Sequence, residues 1–343
     1  MPLLRGLSRK DGAEIFELVQ GFAKSQALHA IVELRLLQHL MDGPATNETL
    51  AHHCSLPKAS MQLLTQAGAA MGLLQLRRDE RIGLTRKGAA LTGVPGLEQM
   101  ILHHRALYRD LENPVAFLRG DTTPELATFW PYVFGATGEI DPTVSRAYSR
   151  LMADSQALVA ADTLDAVSLR GVSRLLDIGG GSGVFLAEVA RRHPRIALDL
   201  FDLPTVSESA RERLGDLGLA DRVVVHGGSF RTDPLPRGAD AVALIRVLYD
   251  HEDATVRELL ESVFETLPPG GRLIISEPMS GGARPDPVTD VYFALYTRAM
   301  GTGRTRSQDA ISELCREAGF TTIKTPRPFR SYVTSVVTAV KPG

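Results

Sequence analysis

Apolar residues follow a helical period in the first part of the chain and a strand-like pattern in the second. Between Gly12 and Leu40, apolar side chains recur every three or four residues, and this spacing predicts helices that each bury one face. The apolar positions are Ile15, Leu18, Val19, Phe22, Leu28, Ile31, Leu34 and Leu37. After Gly171, short runs rich in Val, Ile and Leu alternate with stretches of helical length. This change in pattern predicts that the chain is mainly helical before Gly171 and alternates strands with helices after it.

The first hundred residues carry the pattern of a winged helix. Two further helices are predicted at 47–54 and 57–71, and residues 73–88 predict two short strands around a charged turn, with Thr85 capping the next helix. Winged helices often bind DNA through a helix with several Arg, Lys, Asn or Gln side chains, but here that helix carries Lys58 as its only basic residue. We therefore predict a packing or dimerisation domain that does not bind nucleic acid.

The sequence pattern of residues 101–170 predicts a helical linker that is rich in aromatic side chains. Seven of them fall between His103 and Met152, namely Tyr108, Phe117, Phe129, Trp130, Tyr132, Phe134 and Tyr148. Such a concentration is typical either of a hydrophobic core or of the lining of a large apolar pocket.

The last domain, residues 171–343, has the pattern of an α/β fold. The runs RLLDI, ALDLFD, RVVVHG, AVALIRV and RLIISE are separated by polar or amphipathic stretches of helical length. That alternation predicts a mostly parallel sheet with helices on both faces, a Rossmann-like arrangement. Two runs near the end, within 321–329 and 331–340, predict an antiparallel edge.

Composition excludes several classes of protein. Of 343 residues, 44% are hydrophobic and 23% are charged, which is typical of a globular chain, and a net charge of -2 disfavours phosphate-driven binding to nucleic acid. Cys54 and Cys315 fit no disulfide or zinc spacing, and His103 and His104 form no metal set with nearby ligands. The sequence shows no signal peptide and no long apolar run. We expect a cytoplasmic protein that is soluble or at most peripheral to the membrane, without a metal.

A glycine-rich loop follows the first strand of the α/β domain. Gly179, Gly181 and Gly183 allow a tight turn and close approach of a ligand, while free amides at the next helix attract anionic or electron-rich groups. The dinucleotide-binding pattern G-x-G-x-x-G/A, begun at Gly179, requires glycine or alanine at position 184. This chain has Val184 there, so recognition of a pyrophosphate is disfavoured. Asp177 precedes the glycines, where it can receive a positively charged amino-acid group or an ordered water. The loop indicates a nucleotide-like ligand.

Other candidate residues lie where later strands end. Asp202 stands where a carboxylate would bind both ribose hydroxyls, and Ser229 and Phe230 are placed to flank an adenine. Arg246 opens a polar segment that continues through Tyr249 and His251. Ligands collect at the carboxyl ends of such strands, so we predict that Arg246 binds cofactor and that the catalytic groups belong to this segment.

The ordered set of motifs resembles the class I S-adenosylmethionine-dependent methyltransferases, specifically the two-domain small-molecule O-methyltransferases. The motifs are LLDIGGGSG, FDLP, GGSF, RVLYDHED, LPPGGRLIISEP, GTGRTRS and LCREAGF. The resemblance implies that the glycine loop and Asp202 bind S-adenosylmethionine. It also implies an N-terminal winged-helix dimerisation domain and a homodimer.

Four positions depart from the usual pattern of this family. Ser229 replaces an acid that contacts adenine in many members, and Tyr249 replaces the histidine that usually acts as the base. His251 stands where tryptophan is expected, and Thr305 stands where a glutamate often steadies the histidine. Because an ordinary tyrosine has a pKa of about 10 and an ordinary histidine about 6.5, His251 is the better base on acidity alone, and Tyr249 could instead position the acceptor hydroxyl.

These departures, together with HHRALYRDL, FWPYVFG and AMGTGR, resemble the carotenoid O-methyltransferases of purple phototrophic bacteria. The resemblance implies methylation of a tertiary hydroxyl on an acyclic hydroxycarotenoid of the demethylspheroidene or hydroxyneurosporene type. A long polyene needs an apolar channel, which residues 103–152 could line. Arg304 and Arg306 are either solvated or close the site over this substrate.

Three alternatives remain. A related group of methyltransferases acts on a bacteriochlorophyll-type macrocycle and also has a tyrosine in the base position, and a phenolic natural product is a further acceptor class. A regulator that senses S-adenosylmethionine would need a basic winged helix, which is lacking here.

Overall fold

The computed structural model describes residues 2–128 and 156–343, with side chains for residues 10–127 and 156–343. The chain divides into two units, Met1–Arg105 and Ala106–Gly343. Of the aromatic segment, Phe129, Trp130, Tyr132, Phe134 and Tyr148 lie outside the described residues. The separate linker domain at 101–170 therefore stays a prediction.

The first unit is helical with a small antiparallel sheet. Its elements are α1 (Pro2–Val19), α2 (Gly21–Glu33), β1 (Ala45–Thr46), α3 (Asn47–His53), α4 (Lys58–Ala70), β2 (Leu74–Leu76), β3 (Arg81–Leu84), α5 (Arg86–Gly93) and the start of α6 (Leu97–Asp110). The strand order is β1-β3-β2. Thr85 caps α5 as predicted, because its hydroxyl oxygen accepts the amide of Gly88 at 3.0 Å. The assignment as a winged helix stays a prediction.

The predicted apolar face of the N-terminal helices is only partly buried. Ile31 and Leu37 are fully buried in the core of this unit, as the periodicity predicts. The prediction is wrong for Ile15, Leu18 and Phe22, whose exposed fractions are 60%, 81% and 73%. The period sets which residues share a face of the helix, but burial also requires a partner surface, and the single chain does not supply one to these residues.

The second unit contains a seven-stranded sheet. Its helices are α7 (Pro114–Arg119), α8 (Glu125–Thr128), α9 (156–166), α10 (Val184–Arg192), α11 (Pro204–Asp216), α12 (Asp253–Thr266), α13 (Ala294–Ala299) and α14 (Gln308–Glu317). Its strands are β4 (Arg174–Ile178), β5 (Ala197–Asp202), β6 (Val223–Gly227), β7 (Ala241–Ile245), β8 (Arg272–Glu277), β9 (Thr321–Lys324) and β10 (Ser335–Val340).

The strand order is β6-β5-β4-β7-β8-β10-β9, with the first five strands parallel and β10 antiparallel to both of its neighbours. This confirms the predicted parallel sheet with an antiparallel edge. Alternate residues of β7 enter different cores: Val242 and Leu244 pack into one apolar cluster, while Ala243 and Ile245 pack into another. Because side chains alternate along a strand, the two clusters cover opposite faces of the sheet.

A smaller apolar cluster joins the helices before and after this sheet. Phe117 of α7 is buried there with Leu107 of α6, Leu126 of α8, and Tyr296 and Met300 at α13. Phe117, one of the two described aromatic residues of the segment 103–152, is thus part of a core.

Candidate active site

The carboxyl ends of the five parallel strands bring the predicted residues to one edge of the sheet. The glycine loop follows β4, Asp202 ends β5, and Ser229 follows β6. Arg246 follows β7, and Glu277 ends β8, the neighbouring strand. Ligands of open α/β sheets bind at this edge.

The glycine loop depends on the absence of side chains. Gly179 has φ +68°, and a Cβ atom there would lie 2.8 Å from a methyl carbon of Val247. Gly181 has φ +56°, and no described atom lies within 4 Å of the Cβ it would carry. Gly183, at φ +78°, forms the N-cap of α10. The loop therefore turns tightly and keeps space beside its backbone for a ligand.

Asp202 is held in position by the loop. Its Oδ2 accepts the amide of Gly181 at 2.8 Å, and its Oδ1 accepts the amide of Leu203 at 2.7 Å. Burial raises the pKa of Asp202 to about 6, although both amides favour the charged form. The carboxylate is thus oriented before any ligand arrives, and it is mostly ionised at neutral pH.

Asp177 is a buried acid without a described hydrogen-bond partner. Its side chain is 1% exposed, and neither carboxyl oxygen has a partner among the described residues. Burial and the nearby charge of Asp202 raise the pKa of Asp177 well above its usual range. Buried polar groups without partners are costly, so a positively charged ligand group at this place would be stabilising. The loop, Asp177 and Asp202 therefore fit a nucleoside that also carries a cationic amino-acid group.

The loop after β6 places an aromatic ring beside the polar segment. The amide of Ser229 donates to the carboxylate of Asp233 at 2.8 Å. The ring of Phe230 meets the imidazole of His251 edge to face, with 5.3 Å between ring centroids. Ser229 and Phe230 are both half-buried, and their contact with adenine stays a prediction.

Arg246 and Tyr249 form a hydrogen-bonded pair. Arg246 has φ +59°, an uncommon conformation for a residue other than glycine, and this conformation ends β7 at Ile245. Its Nη2 and Nε donate to the Tyr249 hydroxyl oxygen at 3.1 and 3.3 Å. Tyr249 is 1% exposed, and burial raises its pKa well above the usual range. The phenol therefore keeps its proton at neutral pH.

His251 faces an arginine. Nη2 of Arg231 lies 3.2 Å from Nδ1 of His251, and a guanidinium can only donate. The imidazole thus accepts at Nδ1 and carries its proton at Nε2. Burial and the charges of Arg231 and Arg306 lower the pKa of His251 to about 4. His251 is therefore a weaker base than the ordinary histidine pKa of about 6.5 indicates.

Two buried acids behind Tyr249 were missed in the sequence. Oε2 of Glu277 accepts the amide of Tyr249 at 3.1 Å, and burial raises the pKa of Glu277 to about 7. Burial also raises the pKa of Asp250 well above its usual range. Glu277 Oε1 and Asp250 Oδ1 have no partner among the described residues. Glu277 could have been found from its place at the end of a strand.

The role of Arg306 differs from both sequence hypotheses. Arg306 is 4% exposed, so it is not solvated. It donates to the carbonyl oxygens of Leu248 at 2.9 Å and His251 at 2.7 Å, and pairs with Asp253 at 2.7 Å. Its guanidinium therefore fixes the backbone on both sides of Tyr249. Arg304 pairs with the same Asp253 at 2.8 Å, but its side chain is 65% exposed.

Replacing Arg306 by methionine is expected to lower the free energy of unfolding by about 2–4 kcal/mol, because two buried carbonyls and Asp253 lose their donor. The matched control is Arg304→Met, which removes an exposed ion pair with the same Asp253 and should cost under about 1 kcal/mol. Urea unfolding of both variants measures the difference, and equal losses would contradict the role given to Arg306.

Glu277 makes stability depend on pH. An acid whose pKa rises on folding binds its proton more tightly in the native state, so stability falls as pH rises from 4.5, the ordinary value, to about 7. In Glu277→Gln the amide oxygen still accepts from Tyr249, but there is no charge to bury. We therefore expect the free energy of unfolding of this variant to rise relative to that of the native chain, by up to about 1.4 kcal/mol for each unit of increasing pH within that window. Unfolding curves at several pH values measure this gain, and a pH-independent difference would contradict it.

The described residues offer neither a metal-binding cluster nor a membrane-spanning helix. Within residues 2–128 and 156–343, no group of three or more His, Cys, Asp or Glu side chains could hold a metal ion. Over the same residues, none of the helices has the length and apolar character needed to cross a membrane.

The sheet and its edge define an α/β enzyme that binds an adenosyl cofactor with a cationic group, as S-adenosylmethionine-dependent methyltransferases do. Comparison with known families agrees: residues 108–321 match the O-methyltransferase domain, and residues 16–92 match the O-methyltransferase dimerisation domain. The chain belongs to the O-methyltransferase family and is an S-adenosylmethionine-dependent enzyme. The dimerisation domain supports a homodimer.

The chain has full-length relatives. It is 56% identical over 343 residues to a demethylspheroidene O-methyltransferase of Cereibacter sphaeroides, covering 100% of this chain and 90% of the relative. A second demethylspheroidene O-methyltransferase, from Rhodobacter capsulatus, is 49% identical and covers 99% of this chain and 84% of the relative. The crystal structure of human N-acetylserotonin methyltransferase superposes with a TM-score of 0.81 over 97% of this chain and 98% of that one, at 22% identity. The structural likeness confirms the Rossmann-like fold.

Proposed function

We propose that this enzyme transfers a methyl group from S-adenosylmethionine to the oxygen of the tertiary hydroxyl of an acyclic hydroxycarotenoid of the demethylspheroidene type. The S–C bond of the donor breaks as the O–C bond forms, the demethylated cofactor leaves, and the hydroxyl proton passes to solvent. The observation that carries this proposal is the 56% identity with a demethylspheroidene O-methyltransferase over all 343 residues. The tyrosine at position 249, where related enzymes have histidine, agrees with the same subgroup.

The residues at the sheet edge supply the contacts for the cofactor. S-adenosylmethionine brings a methyl group that its sulfonium has already activated. Asp202, oriented by the amides of Gly181 and Leu203, accepts the ribose hydroxyls. Asp177 receives the amino group of the cofactor, which gives its carboxyl oxygens a partner. Phe230 offers a ring face to the adenine.

Arg246 and Tyr249 orient the acceptor. Because Arg246 donates to the Tyr249 oxygen, the phenol proton is free to point toward the acceptor hydroxyl. Tyr249 remains protonated, so its contribution is to position the hydroxyl rather than to remove its proton. Well-oriented reactants can save about 7–11 kcal/mol of a reaction barrier, which makes positioning an adequate role. The contact of Arg246 with the cofactor stays a prediction.

His251 as a general base stays a prediction. Its pKa of about 4 leaves the imidazole neutral at pH 7 but makes it a weak proton acceptor. In addition, the nitrogen that would accept a proton already accepts from Arg231. These contacts favour His251 as a support for Phe230 and for the polar segment.

A polyene acceptor suggests where the protein works. Such a substrate dissolves in lipid rather than in water, so we place the enzyme in the cytoplasm in peripheral contact with a membrane. The prediction that residues 103–152 line its channel stays a prediction, and positions 129–152 lie outside the described residues.

A panel of acceptors tests the proposal. The protein is incubated in detergent with labelled S-adenosylmethionine and, separately, hydroxylated acyclic carotenoids, phenols and chlorin macrocycles. We expect label in the carotenoid. The phenols matter because a 3-hydroxy-5-methyl-1-naphthoate 3-O-methyltransferase of Streptomyces sahachiroi is 30% identical over 95% of this chain. Label only in a phenol or a chlorin would overturn the carotenoid assignment, and DNA binding in a gel shift would revive the regulator.

A further inference from the structure

The loop between β9 and β10, residues 325–334, exposes two aromatic side chains. Phe329 is 89% exposed, more than any other large apolar side chain among the described residues. Tyr332 in the same loop is 64% exposed. Isolated apolar residues are common on surfaces, but two aromatic rings on one short loop form a feature that a partner would recognise.

The loop is fixed rather than free to fold its rings inward. Arg330 lies between the two aromatic residues, and its guanidinium pairs with Asp162 of α9 at 2.7 and 2.9 Å. Asp162 is 1% exposed. The carbonyl of Arg330 also accepts the amide of Val333 at 2.8 Å. The ion pair and this turn hold the backbone while the rings point to solvent.

The loop that carries the rings is itself positively charged. Residues 324–334 contain no aspartate or glutamate, and Lys324 and Arg327 are both exposed. Aromatic rings beside exposed cations suit the surface of a phospholipid bilayer. The rings enter the headgroup region, while the cations contact the lipid phosphates.

The loop joins the sheet at the edge that carries the site. Strand β10 runs antiparallel to β8, and Ser335, the first residue after the loop, is opposite Glu277. Thr334 Oγ1 also lies 2.8 Å from Ser276 Oγ. The end of the loop is therefore next to the strand end that supports Tyr249.

We propose that the β9–β10 loop docks the enzyme on an anionic lipid surface. Phe329 and Tyr332 insert among the headgroups, and Lys324 and Arg327 bind lipid phosphates. This inference rests on the proposed function, since a polyene acceptor dissolves in lipid and would reach the sheet edge from the surface on which this loop rests.

Vesicle flotation of the full chain tests the docking. The probes are vesicles of phosphatidylcholine with phosphatidylglycerol in a 7:3 ratio, and of phosphatidylcholine alone. We expect binding to the mixed vesicles that weakens with salt. The double variant Phe329→Ala/Tyr332→Ala should bind about tenfold or more weakly, and Lys324→Gln or Arg327→Gln about fivefold. The matched control is Leu217→Ala at the C-terminal end of α11, whose side chain is 51% exposed and does not belong to the loop, so its loss should not change binding.

Activity separates this inference from the proposed function. The double variant should methylate a detergent-dispersed hydroxycarotenoid at the native rate and lose activity only on acceptor embedded in vesicles. Equal vesicle binding by the native chain and the double variant would overturn the inference. The inference would also be overturned if the double variant eluted as a monomer in size-exclusion chromatography while the native chain eluted as a dimer, because the rings would then belong to an interface between copies. Failure of the native chain on the detergent-dispersed acceptor would instead overturn the proposed substrate.

Discussion

Tyr249→Phe is expected to lower kcat about 100-fold while leaving the affinity for S-adenosylmethionine within about twofold. The substitution removes only the hydroxyl that accepts from Arg246 at 3.1 Å and that we assign to orient the acceptor. The phenyl ring keeps its place in the core, and the Glu277 contact to the backbone amide remains. Single-turnover methylation and calorimetry measure the two quantities.

The pH profile shows which role Tyr249 has. If Tyr249 positions the hydroxyl, its loss lowers the rate by the same factor at every pH, because the phenol does not ionise in the accessible range. The thermal midpoint of the variant is the control for folding. Native kcat in the variant would remove Tyr249 from the reaction.

Asp202→Ala is expected to weaken S-adenosylmethionine binding by at least about 100-fold, because two charge-assisted hydrogen bonds are worth about 1.5–3 kcal/mol each. The loss also releases the amide of Gly181, which Asp202 holds at 2.8 Å. Calorimetric titration with S-adenosylmethionine measures the affinity.

The matched control for Asp202 is Asp221→Ala, which removes an exposed carboxylate that follows α11. We expect that variant to bind the cofactor like the native chain. An Asp202→Ala protein that folds and binds normally would show that the ribose is held elsewhere.

The sheet could be predicted because each strand carries its own signal. Strands such as RLLDI and AVALI are buried on both faces, so they are mainly apolar and easily recognised. The Asp177 and Asp202 positions followed from the same strands, since the ends of parallel strands share one edge. The apolar face of α1 was misjudged because periodicity does not say whether a surface exists to cover it.

Contacts between distant parts of the chain were beyond prediction. Arg306 binds the carbonyls of Leu248 and His251 more than fifty residues away, and an arginine at a helix start gives no sign of such a partner. The lowered pKa of His251 was beyond prediction for the same reason, because it depends on burial and on the charges of Arg231 and Arg306, which come from other segments. Burial and charge at a site depend on the fold as a whole, whereas the motifs are local.

Calorimetric titration of the native chain with S-adenosylmethionine tests the account most directly. The buried carboxyl of Asp177 has no described hydrogen-bond partner, and Asp202 is already oriented by two amides, so both acids are placed to bind the cofactor. We predict that each chain binds one cofactor molecule. A protein that binds neither S-adenosylmethionine nor its demethylated product would contradict the account.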